Sequence, residues 1–183
     1  MGRMKFTTAL MLGSLIGLGA AGCQTTESQN AGMDMPPEFR SVQTLTAHGQ
    51  VTILLSLWHR AAAKGDFNGY FGRMTKDAVF LGTDKTERWS RAEFEEFARP
   101  YFDGVNAWTY EQRETNLIIG PGEDPDVVWF DEILFSDKYG LCRGAGVAER
   151  GDNGKWRIAH YSLSLLVPNS VSGDVVELIR SSE

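Results

Sequence analysis

The chain has 183 residues, 42% of them hydrophobic and 23% charged, which suits one packed domain and excludes a disordered or collagen-like polymer. Lys+Arg 18 against Asp+Glu 24 gives a net charge of −6 with no basic cluster, which excludes a general nucleic-acid binder that must neutralise phosphates. Two cysteines cannot build a disulfide framework, so stability must come from burying a core.

Residues 1–22 combine a basic start at Arg3 and Lys5, an apolar run from Phe6 to Leu18 and a small-residue end. That is the pattern of a secretory signal, too short and glycine-rich for a span of about 20 apolar residues. Ala20-Ala21-Gly22-Cys23 resembles the lipidation box of bacterial lipoproteins, in which the cysteine becomes the lipid-bearing N-terminus; plain cleavage near Ala21 is the alternative. Removing the signal shifts the balance from −6 to −8, because it carries two cations and no acid. With Cys23 lipidated, Cys142 has no partner and reads as a small buried hydrophobe. Residues 23–40 are polar, contain Pro36-Pro37 and read as a flexible tether, with the folded domain starting near Ser41.

From Ser41 to Lys64, Val42, Leu45, Val51, Leu54, Leu55, Trp58 and Ala62 recur at three- and four-residue steps and predict one long amphipathic helix. Gly65-Asp66 breaks it, and Asp66 can cap a short second helix through Phe67, Tyr70 and Phe71. Ala78 to Gly82 reads as a strand, Thr83 to Thr86 as a turn, and a hairpin arm reaches Trp89. Ser90-Arg91-Ala92-Glu93 is a capping box for a third helix carrying Phe94, Phe97, Ala98 and Tyr101, which Pro100 ends or distorts. Beyond Gly104, the runs 108–119, 127–135, 141–150 and 155–167 are separated by turn sequences and predict a four-strand antiparallel meander. A final short helix is expected around Val175, Val176, Leu178 and Ile179, in a C-terminal extension over 169–183. Helices followed by a meander make an α+β domain, its curved sheet folding over the N-terminal helices.

This order, with the Phe80-Leu81-Gly82-Thr83-Asp84 strand end, Arg88-Trp89-Ser90-Arg91 and the closing strand from Trp156 to Ser164, resembles SnoaL-like proteins of the nuclear transport factor 2-like superfamily over about residues 41–168. The closing strand is also similar to the association domain of calcium/calmodulin-dependent protein kinase. The resemblance implies a cone-shaped fold around a pocket and a homodimer paired through the sheet. It does not choose among isomerases, cyclases, hydrolases, dehydratases and non-enzymatic modules.

Strand alternation places Val127, Trp129, Asp131, Ile133 and Phe135 on one face, and Val128, Phe130, Glu132 and Leu134 on the other. Both faces are apolar with one acid each, so both are expected to be covered, the outer one by a partner or an extra segment, and a homodimer is the expectation. In the last strand, Trp156, Ile158, His160, Ser162 and Ser164 share a face. The expected chemical pair is His160 with Asp131 or Glu132 inside the cone, Asp131 being favoured because it shares a face with Trp129 and because the resemblance puts polar pocket residues on central strands. Trp58, Tyr70, Trp129, Arg143 and Ser162 are the expected ligand contacts. An acid beside a histidine in an apolar pocket can move protons. His48 and His59 lie about three turns apart, too far to hold one metal, and no metal or cofactor motif is present. The leading expectation is an exported, periplasmic or cell-envelope lipoprotein, held to the membrane only by its lipid, that binds a small molecule. A cofactor-free isomerase, cyclase or hydrolase and an envelope assembly module with a filled cone are the alternatives.

Overall fold

The computed structural model describes residues 46–103 and 108–182. The signal segment 1–22, Cys23, the tether 23–40 and residues 41–45 lie outside the described residues, and the helix expected over 41–64 begins later, at Ala47. Helix α1 spans Ala47–Ala63 and is capped by Thr46, whose hydroxyl accepts from the Gly49 N–H at 3.3 Å. Its buried stripe is Val51, Leu54, Leu55, Trp58, Ala61 and Ala62, the spacing that one side of a 3.6-residue helix requires. Gly65 then takes a left-handed φ of 65°, which costs a glycine little, and turns the chain into α2, Phe67–Phe71. Asp66 caps α2 through the Gly69 N–H at 2.8 Å.

Strand β1 covers Met74–Leu81 and β2 Arg88–Ser90. Ser90 also opens α3, Arg91–Ala98, through a complete capping box with Glu93, and a single 3-10 turn, Arg99–Tyr101, follows where Pro100 denies the helix a donor. The meander is β3 Glu111–Ile119, β4 Val127–Ser136, β5 Gly140–Arg150 and β6 Trp156–Leu165. Helix α4, Ser172–Ser182, closes the described chain and buries no residue.

The six strands form one curved sheet in the order β2-β1-β6-β5-β4-β3. The meander is antiparallel as expected, but the sheet is mixed, because β1 lies parallel to β6. Parallel neighbours need a long crossover, and here everything from β2 to β5 lies between them. Helix α1 packs over β3, β4 and β6. The core between helices and sheet includes Trp58, Tyr70, Phe71, Phe94, Phe130, Leu134 and Tyr161, and Cys142 is buried within it.

One irregularity decides which side chains reach that core. In the β5–β6 ladder Val147 pairs with His160 but Ala148 pairs with Ile158, so Ala159 is an extra residue. Such a bulge reverses the alternation beyond it. Trp156 and Ile158 face inward before it, and Tyr161 and Leu163 after it.

Candidate functional site

The inner face of β4 presents Val128, Phe130, Glu132, Leu134 and Ser136, all buried. Glu132 is 0% exposed, a carboxyl in an otherwise aromatic and aliphatic core. Such a group persists only where donors replace its water. His59 Nε2 lies 2.9 Å from Oε2, Gln112 Nε2 donates to Oε1 at 2.6 Å, and the Tyr161 hydroxyl donates to Oε2 at 3.3 Å. Helix α1 and strands β3 and β6 thus converge on one residue of β4.

The local structure explains that convergence. His59 follows Trp58 on α1, about 100° around the helix, so it flanks the buried stripe and meets the sheet. Tyr161 reaches Glu132 across the intervening strand β5, where the residue between Glu132 and Leu163 is Gly144. A Cβ at Gly144 would collide with the Tyr161 hydroxyl. The glycine is what opens the path. With Glu132 as a carboxylate, its oxygens accept from Gln112 and Tyr161, and the His59 tautomer that fits carries its hydrogen on the nitrogen facing Oε2. In the neutral ring Nδ1 then keeps the lone pair.

Beside this group lies a cavity of about 430 Å³. Its walls are aromatic: Trp58, Tyr70, Phe80, Trp89, Phe94, Trp108 and Tyr161. Trp58 stacks on Tyr70 with centroids 4.6 Å apart and meets Tyr161 edge-on at 4.6 Å, while Phe80 stacks on Phe94 at 4.0 Å. His59, Ser136, Thr109 and Tyr110 supply polar atoms. The solvent-exposed lining residues Thr83, Tyr101, Lys138 and Tyr139 mark the rim. Burial pushes the Tyr161 and Tyr70 phenols well above the usual range; next in weight come the Glu132 charge for Tyr161 and Tyr110 for Tyr70. Burial raises Tyr110 in the same way.

Trp58 is 1% exposed, and its Nε1 has no hydrogen-bond partner, alone in this among the buried side-chain polar atoms of the described residues. A buried donor left unpaired costs about 1–3 kcal/mol.

Of the residues expected at the site, Trp58 and Tyr70 line the cavity. The other five lie on the outer face of the sheet. Asp131 accepts from Asn116 Nδ2 at 3.2 Å in an exposed position, and Trp129 is 45% exposed. Arg143 is exposed opposite Ile133 and Ser164. The bulge at Ala159 turns His160 and Ser162 outward, His160 between Val79 and Val147, and Ser162 between Leu81 and Ala145. Asp131 and His160 are separated by β5, and the inward acid is Glu132. His59, Gln112 and Tyr161 take the places for which the sequence reading named other residues. His59 carried a signal, its position beside Trp58 on the buried stripe; Tyr161 carried none, because a bulge leaves no mark in the alternation. Among the described residues no three His, Cys, Asp or Glu gather closely enough to hold a metal.

Comparison with known proteins agrees with this architecture. The family model described as the SnoaL-like domain matches residues 51–168. Among solved structures, an NTF2-like protein of unknown function from Pseudomonas putida superposes with a TM-score of 0.51 at 14% identity, covering 66% of this chain and 87% of that one. A protein named as a putative dehydratase of the NTF2-like family from Streptomyces avermitilis gives 0.53 at 14% identity, covering 65% and 95%. A cystatin-like fold protein from Burkholderia xenovorans gives 0.50 at 18% identity, covering 65% and 91%. At these identities the likeness shows the fold alone. No curated protein matches the sequence.

Proposed function

The chain belongs to the SnoaL-like domain family, and from that premise we propose that it binds a small, largely aromatic or apolar molecule in its cavity, through an acceptor atom placed on Trp58 Nε1. Two observations on one residue carry this reading: Trp58 lines an aromatic cavity of about 430 Å³, and its buried indole N–H has no partner. Ligand pockets characteristically combine apolar walls with a few placed polar groups. An assembly module with a filled cone would not keep that volume. Thermal-shift titration with planar aromatic ketones and acids tests the reading. Wild-type protein should be stabilised, and Trp58→Phe should bind about tenfold more weakly, the worth of one buried hydrogen bond. Equal affinity in the variant, or no stabilisation by any compound, would contradict it.

A second reading is favoured by the His59–Glu132 pair. A carboxylate that orients an imidazole and leaves its other nitrogen basic is the arrangement of a general base. In an isomerase, cyclase or hydrolase without cofactor, His59 moves the proton and Glu132 holds its tautomer. His59→Gln should then keep ligand affinity and lose turnover.

The location and assembly belong to the same proposal: an exported lipoprotein anchored through Cys23, paired with a second copy across the outer sheet face. Supporting the pairing, Ile118 and Trp129 are adjacent across β3 and β4 and are 66% and 45% exposed. Labelled palmitate should enter wild-type protein in bacteria and not Cys23→Ala.

A further inference from the structure

A second concavity, of about 520 Å³, lies on the other flank of α1 and shares no lining residue with the aromatic cavity. It is bounded by α1, α2 and the turn between β5 and β6. Its floor is apolar: Leu54 and Trp156 are buried there, Leu57 is half-buried, and Ile53 is 45% exposed. Its charged lining residues are Arg73, Lys155 and Arg157, all cations. In a chain with 24 acids against 18 bases, a groove lined by three cations and no acid is a local reversal of sign.

The backbone holds Arg73 in place. The Arg73 guanidinium donates to the Gly69 carbonyl, and the Arg73 carbonyl accepts from the Ile158 N–H at 2.8 Å, tying α2 to β6. Lys155 and Arg157 flank Trp156 at the start of β6. The nearby Arg150 sits 5.9 Å from the Trp156 ring but is paired with Asp124 at 2.7 Å, so it adds little net charge.

We propose that this groove binds an anionic amphiphile, a single molecule whose apolar body covers Ile53, Leu57 and Trp156 and whose anionic head meets Arg73, Lys155 and Arg157. An inorganic anion would leave the apolar floor in water, and a neutral apolar molecule would cover three cations with no anionic group in the lining to balance them. Each alternative wastes half of the surface; a carboxylate or phosphate on an acyl chain satisfies both halves. The site is independent of the ligand proposed for the aromatic cavity.

Isothermal titration of the protein with dodecanoate below its micelle concentration tests the assignment, beside inorganic phosphate and uncharged dodecyl maltoside. Dodecanoate should bind, and both controls should bind at least about tenfold more weakly. Ile53→Asp, a change at an exposed position, and the double variant Arg73→Gln/Arg157→Gln should each weaken dodecanoate by a similar factor. Trp58→Phe should leave it unchanged. Circular dichroism and melting temperature confirm that the variants fold. Phosphate binding as strong as dodecanoate would reduce the groove to an anion site and overturn the proposal. So would dodecanoate affinity lost in Trp58→Phe and kept in Ile53→Asp, which would place the amphiphile in the aromatic cavity. Binding to phosphatidylglycerol vesicles with none to monomeric dodecanoate would mean a membrane-surface patch, and would overturn it too.

Discussion

Glu132 and Asp131 are neighbours with nearly the same chemistry, and the pleat of β4 gives them opposite surroundings: one 0% exposed among three donors, the other beside Asn116 at the surface. Glu132→Gln keeps the shape but brings an N–H₂ against groups that already donate. It should cost about 1–3 kcal/mol of unfolding free energy by urea titration, while Asp131→Asn should stay within about 0.5 kcal/mol. The phenols make a separate prediction. Burial holds the Tyr161 and Tyr70 pKa values above those of the unfolded chain, so the unfolded chain ionises first as pH rises. Stability is therefore fully present below about pH 10 and declines above it. The urea midpoint should fall as pH rises above about 10, and Tyr161→Phe should flatten that fall; a midpoint independent of pH in both proteins would contradict the burial argument. Burial also raises the Cys142 thiol, which fits a buried side chain and not a reactive one.

At the scale of elements, the strongest local signals in the sequence correspond to structure. Asp66 caps α2, Ser90 and Glu93 form their box, Pro100 ends α3, and each turn sequence separates two strands of the meander. These features are written in short-range chemistry, where a side chain bonds a backbone group three residues away. The pairing of β1 with β6 is not short-range, and alternation within a strand does not say which strand lies beside it or in which direction. Nor does it reveal the bulge at Ala159, which moves His160 and Ser162 outward and brings Tyr161 in. On β4 both faces are apolar, so Asp131 and Glu132 look alike until α1 covers one of them. Trp58 and Tyr70 were legible as cavity wall because their helices have one apolar side. Gly144 makes the element-scale prediction: Gly144→Ala should displace Tyr161 from Glu132 and destabilise the fold by about 1–3 kcal/mol, measured by thermal and urea unfolding. An unchanged Tyr161–Glu132 bond in a crystal structure of the variant would contradict the steric account.

For the whole molecule, the sheet has two different faces to satisfy. Its inner face meets α1 and surrounds the cavity, while its outer face leaves Ile118, Trp129 and Leu141 66%, 45% and 50% exposed. Exposed apolar area gathered on one sheet face is the mark of an interface. Light scattering at micromolar concentration should give a dimer for the proposed pairing, and Trp129→Glu should give a monomer that still binds the cavity ligand. A wild-type monomer would remove the dimer. The ligand on Trp58 is tested by the indole ¹H–¹⁵N resonance of that residue, assigned by Trp58→Phe and followed while planar aromatic ketones and acids are added. A compound entering the cavity should move this resonance downfield, as a donor does when it gains an acceptor. Compounds that bind the protein and leave the Trp58 resonance where it was would contradict it.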